Sequence, residues 1–414
     1  MNYSLEITDV DKIDDHSGEE VTNLTYKRCE LSSQVISNIL FPTHLTKLTL
    51  TDCNLQDIFI LSLPVLNYLN ISNNKIKIVD VSGSMKLEEF IATSNIIINV
   101  NLPYNVKIVD LSQNLLEEFE IFSSYPRLCE LILDDNIFAY AEKIKLSDCY
   151  QLRELSISNA SFTECPILPN WIVKINLENC QISRIPYHAT CEIMHLKGCL
   201  ITEITSDIII CDRLIELILD DNQLTEITFY PPNIKVLNAQ NNELTSVAPF
   251  PQSMKSCDLA GNKLRYIPKF NQNLEYISLN DNKITLTKDD IPKSLRKIEI
   301  INTFVNPTII NDIIEEFPEL TILHNEDNDI DGFNINLECG FESTNTVSSS
   351  TIIEFSQNKF NKNKTFHIDT SDYSSTYLDL LNEFNKTKPP KIIPEWKKKL
   401  KSNPYYLCNH YTVE

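Results

Sequence analysis

The sequence predicts an α/β repeat solenoid, a curved stack of short coils whose strands form one concave parallel β-sheet. The first observation is a frame with apolar residues at positions 1, 4, 6 and 11 and asparagine at position 9, as in residues 234–244. The second is the recurrence of this frame about every 21 residues along most of the chain. The third is the apolar and polar alternation at positions 3 to 7, which is typical of a half-buried strand.

Position 9 of this repeat frame carries Asn or Cys in most of its sixteen copies. Ala160 and Thr303 occupy it in two copies, and Asn328 and Asn358 occupy it in two irregular ones. An Asn side chain bonds the backbone of its own and neighbouring turns, and Cys fits the same slot with a weak S–H donor. We therefore predict a buried ladder. We also expect its asparagines to make the recurring turn, because Asn tolerates left-handed backbone. The predicted ladder residues are Cys29, Cys53, Asn74, Asn95, Asn114, Asn136, Cys180, Cys199, Asn222, Asn242, Asn262 and Asn282.

The frame is the pattern LxxLxLxx(N/C)xL, and through it the chain resembles the leucine-rich repeat family over about residues 21–360. The middle repeats are similar to the short bacterial-type class, with prolines such as Pro186, Pro249 and Pro268 in their spacers. The resemblance implies a leucine-rich-repeat horseshoe. It also implies a binding scaffold rather than an enzyme.

The frame divides the chain into four predicted parts. Residues 1–20 form an N-terminal cap, 21–330 about fifteen repeats, 331–364 a degenerate last repeat or C-terminal cap, and 365–414 a lysine-rich tail with tyrosines. Short spacers leave room only for irregular or 3₁₀ segments on the convex side, where prolines disfavour helices. The longer spacers predict helices at 32–40 and 308–317, and the tail predicts one at 376–384.

Glycine and charge exclude several classes of function. The chain has only six glycines, and none lies within five residues of another. The glycine-rich phosphate loops and the nucleophile elbow are therefore absent, and we predict no catalytic residue and no cofactor.

The net charge of -21 disfavours nucleic acid and anionic membranes as partners. The acidic first twenty residues do not read as a signal peptide, and no apolar run is long enough to cross a membrane. We expect a cytoplasmic protein, or one in a host cytoplasm if the source is a virus or an injected effector, with reduced thiols.

Two motifs have metal-ligand residue types. Asp327, Asp329, Asp331 and Glu338 match a calcium-loop template, but Ile330 occupies a position that is normally polar. His188, Cys191, His195 and Cys199 have zinc-ligand types, but the frame points the cysteines inward and His195 outward. We predict no metal site and keep calcium binding by residues 327–338 as an open alternative.

The concave positions 3, 5, 7 and 8 carry seventeen acidic and six basic residues over the sixteen copies. This acidic face is either a charge-steered binding site or a surface that only keeps the protein soluble. The first alternative, together with the absence of catalytic motifs, predicts a non-enzymatic interaction scaffold that binds another protein, for example through a basic segment. One alternative is a structural or assembly component, for example of a large virus particle or an intracellular complex, that makes contacts through edges, convex side and tail. A weaker one is a calcium-regulated module or an enzyme. The candidate partner-binding residues are Glu130, Asp134, Asp135, Glu154, Glu216, Asp220, Asp221, Asp258 and Asp281.

Overall fold

A computed structural model describes residues 4–18, 20–31, 40–119, 125–146 and 148–325, and the backbone of three strands further along the chain. The chain divides into two compact units, residues 1–341 and residues 342–414. The helices predicted at 32–40 and 376–384, the lysine-rich segment of the tail, and Asn328 and Asn358 lie outside the described residues. Most of the calcium-loop motif does too.

The described chain contains twenty-four strands. In chain order they are β1 (Ser4–Thr8), β2 (Asn23–Lys27), β3 (Lys47–Thr51), β4 (Gln56–Ile60), β5 (Tyr68–Asn70), β6 (Lys75–Asp80), β7 (Glu89–Ile91), β8 (Asn99–Asn101), β9 (Ile108–Asp110), β10 (Glu130–Ile132), β11 (Glu154–Ser156), β12 (Lys174–Asn176), β13 (Ile193–His195), β14 (Glu216–Ile218), β15 (Glu226–Ile227), β16 (Val236–Asn238), β17 (Ser246–Val247), β18 (Ser256–Asp258), β19 (Tyr276–Ser278), β20 (Lys297–Glu299), β21 (Thr321–Asn325), β22 (Ile335–Glu338), β23 (Ser350–Ile353) and β24 (Phe366–Asp369).

One strand from each repeat joins a seventeen-stranded sheet in the first unit. Successive repeat strands pair in parallel and in register, so that Leu131 lies opposite Val109 on one side and Leu155 on the other. The sheet starts at β1, where Leu5 lies opposite Leu24, so the predicted N-terminal cap itself supplies a strand in the repeat frame. It ends at β22, which pairs antiparallel with β21.

The last repeat strand departs from the predicted frame by one residue. If Asn328 were the ladder residue of this repeat, Leu323 would occupy position 4 of the frame. The residue that pairs with Ile298, which is at position 4 of the preceding repeat, is Ile322 instead. Ile322 is buried, whereas Leu323 is half-buried. The observed register therefore buries Ile322 and leaves Leu323 half-buried, since a shift of one residue exchanges the two faces of a strand.

The spacers on the other side of the coils carry little helix. Extended segments form two small parallel sheets, β4–β6–β8 and β15–β17, and 3₁₀ turns occupy Ala141–Lys143, Ser206–Ile210 and Lys288–Asp290. The helix predicted at 308–317 is confirmed as α1 (Pro307–Glu316). It begins at Pro307, and the Asn306 side chain caps it by accepting the Thr308 N–H.

The core lies between the long sheet and the spacers. The apolar positions of one repeat, Leu66, Leu69, Ile71 and Ile76, are all completely buried, and the same holds repeat after repeat. Burying a side chain of this size stabilises the fold by about 1.5–3 kcal/mol. One coil cannot bury its apolar side alone, so the repeats form a single continuous core by stacking.

The recurring turn does not use the residue that the sequence indicated. In all fourteen copies from Cys29 to Thr303, the left-handed residue is at position 8, one residue before the ladder position. Arg28 has φ 54°, Asp135 φ 56° and Gly198 φ 68°. The expectation that the ladder asparagines adopt this conformation is therefore wrong. Position 8 reverses the chain, and position 9 can then point its side chain into the stack.

In the second unit, β23 and β24 pair antiparallel, with Ser350 opposite Asp369. A repeat strand would pair in parallel with the strand of the preceding repeat.

Candidate protein-binding surface

The asparagines at position 9 are buried, with 1–8% of their surface exposed, and each bonds two repeats. In Asn74, Oδ1 accepts the Leu55 N–H at 3.0 Å, and Nδ2 donates to the Leu50 carbonyl of the preceding repeat at 2.8 Å. Nδ2 also donates to the carbonyls of Ile71 and Ser72 in its own repeat. The same set of bonds is made by Asn95, Asn114, Asn136, Asn222, Asn242, Asn262 and Asn282.

The cysteines at position 9 make only the donor half of this pattern. Sγ of Cys53, Cys180 and Cys199 donates to the carbonyl of position 6 in the preceding repeat, at 3.1–3.4 Å. Cys29 bonds the carbonyl of Lys27 in its own repeat. Burial raises the pKa of the Cys199 thiol to about 12. The ten cysteines within the described residues are free thiols, including these four.

We call the solvent side of the long sheet, at positions 3, 5, 7 and 8 of the repeats, the sheet face. All nine candidate partner-binding residues lie on it, but several also hold the fold together. The Asp134 carboxylate accepts the Ser158 N–H at 2.6 Å and the Ser156 hydroxyl at 2.7 Å, both from the next repeat. Asp258 accepts the Ala260 N–H at 2.9 Å, and Asp220 accepts the Gln240 N–H at 3.1 Å.

These aspartates serve backbone N–H groups just beyond the short strands, where the ladder of the sheet has ended. Without such acceptors the N–H groups would lack a protein partner. Partial burial disfavours the charged form of these carboxylates. It raises the pKa of Asp220 to about 6, and nearby carboxylates contribute further to the rise. The pKa of Asp258 is raised for the same first reason. This structural role was not predicted from the sequence. The Asp258 bond to the N–H two residues further on is a known turn pattern, but the bonds of Asp134 and Asp220 reach into the next repeat.

The aspartates at position 8 form a side-chain row along the edge of the sheet face. Asp221 accepts the Asn241 amide at 2.9 Å, and Asp281 accepts the Asn302 amide at 2.8 Å. Asp135 occupies the same position in its repeat. Asp221 also pairs with Lys197 at 3.3 Å.

The glutamates at position 3 accept no backbone N–H among the described residues. Glu154 lies 3.9 Å from the Lys174 ammonium, and Glu216 is 2.9 Å from Nε2 of His195. The pKa of Glu130 is raised by burial and then by Glu154. These carboxylates lie on the solvent side of the sheet, and the contacts of Glu154 and Glu216 are with side chains rather than with the backbone.

The acidic residues are not spread evenly over the sheet face. The four repeats of β7, β9, β10 and β11 carry no Lys or Arg at its positions. They carry six acids: Glu89, Asp110, Glu130, Asp134, Asp135 and Glu154. Beyond them Lys174 and Lys197 interrupt the charge, and His195 lies between Glu178 and Glu216. Tyr68 and Tyr276, the aromatics on this face, each lie under a lysine at 5.5 and 5.6 Å. The repeats of β14, β16, β18 and β19 also lack Lys and Arg at these positions and carry five acids. The highest count is that of the acidic quarter, our name for the sheet face of β7, β9, β10 and β11.

The zinc-type residues do not converge. Cys191 and Cys199 are buried and donate to backbone carbonyls, His195 faces solvent, and the His188 ring contacts Thr190. Among the residues described by the structure, no group of three or more His, Cys, Asp or Glu side chains is placed to hold a metal ion.

In the part of the chain that the structure describes, no helix has both the length and the apolar character needed to span a bilayer.

No protein-family model matches the chain. No curated protein matches it either. Solved structures do. A leucine-rich-repeat protein of Leptospira interrogans has 18% identity and a TM-score of 0.55, over 73% of this chain and 89% of that one. YopM, a leucine-rich effector protein of Yersinia pestis, has 18% identity and a TM-score of 0.54, over 73% and 88%. The LRIM1/APL1C complex has 18% identity and a TM-score of 0.60, over 82% and 68%. Together with the parallel stack and the position-9 bonds, these likenesses show that the chain is a leucine-rich-repeat solenoid.

Proposed function

We propose that the protein is a non-enzymatic interaction scaffold whose acidic sheet face binds a basic segment of another protein. The observation that carries the proposal is the acidic quarter, where six acids occur on four neighbouring strands without a cation at the same positions. Like charges held side by side raise the local negative potential, which attracts basic ligands and speeds their encounter.

The kind of partner is supported by the comparisons. LRIM1 and APL1C occur together as a complex of proteins, and a solenoid offers an extended surface to a partner chain. Enzymes place perturbed nucleophiles and bases together in a cleft. The buried thiols here point into the core instead, and their raised pKa keeps them protonated.

The test uses charge reversal at carboxylates that hold no backbone group. Glu89→Lys, Glu130→Lys and Glu154→Lys together change the acidic quarter by six charges and leave Asp134 and its backbone bonds intact. The matched control applies the same changes to exposed glutamates outside the sheet face, Glu203, Glu226 and Glu243. The probe is a fluorescent sixteen-residue peptide of alternating Lys and Ser.

We expect the acidic-quarter variant to lose at least about tenfold in affinity by fluorescence anisotropy, with the control variant near wild type. Equal losses in the two variants would mean that only net charge matters, and would contradict a defined binding face.

An assembly role is the second candidate, and a specific observation favours it. Ile58 and Ile60 of β4 are 60% and 58% exposed, and Ile98, the residue before β8, is 54% exposed. Exposed apolar surface is a mark of association sites where it forms a patch. If this role holds, the protein self-associates in sedimentation experiments, and a variant with serine at the three positions does not. A wild-type protein that stays monomeric at high concentration would argue against it.

A further inference from the structure

A four-residue turn leads into the strands of the long sheet. Its first carbonyl accepts the N–H of the position-1 residue, as between Ser84 and Leu87 at 2.9 Å and between Cys149 and Leu152 at 3.0 Å. The two central residues of each turn form its tip, which projects to solvent at the edge where the strands begin. The tips are thus equivalent positions of successive repeats.

Five successive tips carry an apolar or aromatic side chain. Met85 is 49% exposed, Tyr104 50%, Tyr150 61% and Trp171 57%, and Pro126 occupies the turn between the two tyrosines. We call these five residues the tip stripe. The next five tips are Ala189-Thr190, Asp212-Arg213, Pro232-Asn233, Gln252-Ser253 and Gln272-Asn273, which include the apolar residues Ala189 and Pro232 but no aromatic residue and no Met. The fold forms these later turns with mostly polar tips, so turn formation does not require the tip stripe.

The members of the tip stripe are neighbours in space. Their turns lead into β7, β9, β10, β11 and β12, which pair one after another. A side-chain bond ties adjacent tips, as where Asn105 Nδ2 donates to the Met85 carbonyl at 2.8 Å. At roughly 4.8 Å per strand the five turns span about 19 Å, which six or so extended residues would cover.

The tip stripe borders the acidic quarter. Met85, Tyr104, Pro126 and Tyr150 lie in the turns that lead into its four strands. Three of these strands, β7, β10 and β11, begin with a glutamate: Glu89, Glu130 and Glu154. Three cations also lie near this border: Lys107 is 2.8 Å from Glu88, and Lys86 and Arg127 are exposed central residues of two of the turns. The pKa of Glu130 is raised by burial and then by Glu154, so its charged form is disfavoured here. A basic group of a partner beside it would stabilise that charge.

We propose that the tip stripe and the acidic quarter form one docking surface for an extended protein segment in which basic and aromatic or aliphatic residues are interleaved. The apolar side chains of the segment pack on Tyr104, Tyr150 and Trp171, which are residue types that dominate binding energy at interfaces. Its basic residues meet the carboxylates of the adjoining strands. This inference rests on the proposed function and adds the location of the site and the apolar half of the recognition.

The test selects ligands from a display library of random sixteen-residue peptides on the full-length protein, against an unrelated acidic protein. The stripe variant replaces Met85, Tyr104, Tyr150 and Trp171 with serine. The control variant replaces Tyr266 and Phe304, which are 79% and 64% exposed elsewhere, with serine. Circular dichroism and urea titration establish that both variants fold.

We expect the selected peptides to be rich in both basic and aromatic or aliphatic residues. Synthetic versions should bind the stripe variant at least about tenfold more weakly than wild type and the control variant equally well. The Lys and Ser peptide, which carries charge alone, should bind wild type and stripe variant alike.

Four results would overturn the docking surface. The first is selection of basic peptides without apolar residues, which leaves the proposed function standing. The second is undiminished binding to the stripe variant, and the third is no enrichment over the acidic reference protein. The fourth is self-association of the wild type that the stripe variant abolishes, which would assign the tip stripe to a second copy.

Discussion

The side chain of Asn242 accepts a hydrogen bond from the backbone N–H of Leu224, one repeat earlier, at 3.0 Å. Its amide also donates to the Leu219 carbonyl at 2.9 Å and to two carbonyls of its own repeat. One buried amide therefore satisfies backbone groups in two neighbouring coils. This is the unit that repeats along the solenoid.

Asn242→Ala should lower the free energy of unfolding by about 1–3 kcal/mol, because buried backbone groups lose their partners. Urea denaturation measures the change. Asn99→Ala, at an exposed residue of β8, is the control and should stay within about 0.5 kcal/mol of wild type. A melting curve of Asn242→Ala that overlays the wild type would remove the energetic role of the position-9 bonds.

Cys199→Asn should stabilise the protein by about 1 kcal/mol. The thiol donates to the Leu177 carbonyl but supplies no carbonyl oxygen. An Asn in this slot would also accept the N–H of Ile182, as Asn222 accepts that of Ile201 at 3.0 Å. Cys199→Ala, which removes the donor as well, should be destabilising. Loss of stability in both variants would show that the slot is shaped for sulfur.

Gly198→Ala should destabilise the fold by about 1–2 kcal/mol. Gly198 has φ 68°, and an added Cβ would overlap the Oδ1 of Asn179 in the preceding repeat. Gly18→Ala is the matched control, since nothing lies within 4 Å of a Cβ there. Combining Gly198→Ala with Asn179→Gly relieves the overlap but not the backbone strain at residue 198, so stability should return only in part. A Gly198→Ala protein as stable as Gly18→Ala would contradict this turn geometry.

Asp220→Asn should raise stability at neutral pH and not at low pH. The folded-state pKa of Asp220 is raised to about 6, above the ordinary value of about 3.9. The wild type therefore loses stability as pH rises from about 4 through 6, because ionisation is disfavoured in the folded state. Asn keeps an acceptor for Gln240 and has no such charge.

The gain for Asp220→Asn should reach about 1 kcal/mol above pH 7, after allowance for solvent screening, and vanish near pH 4. Urea titrations at the two pH values measure it, with Asp212→Asn at an exposed turn tip as the control. A gain in stability that is larger near pH 4 than above pH 7 would contradict a raised pKa for Asp220 in the folded state.

Much of the fold was predictable because its periodicity is local. The spacing of Leu66, Leu69 and Ile71 and the recurrence of Asn at position 9 specify the strand, its register and the buried ladder within each repeat, but not the residue that makes the turn. The helix at Pro307–Glu316 follows from its proline and its long spacer. The strands of the small sheet β4–β6–β8 were not predictable, since nothing in one spacer indicates its pairing with the next.

The candidate site was predictable in charge but not in role. Position 8 is left-handed with residues as different as Arg28, Ser94 and Gln113, so residue type does not reveal it. Asp134 and Asp220 looked like partner ligands because they lie on the sheet face, yet their carboxylates hold backbone N–H groups of the next repeat. Only the stacked coils bring those groups together.

Carboxyl-group footprinting tests the central claim most directly. The protein is labelled with a carbodiimide and an amine, with and without a saturating basic ligand, and labelling at each acid is read by mass spectrometry. The account predicts that labelling of Glu130 and Glu154 falls severalfold on binding, while Glu226 and Glu243, exposed on the spacers, stay unchanged. Protection of Glu226 and Glu243 with Glu130 and Glu154 unaffected would contradict binding at the acidic quarter.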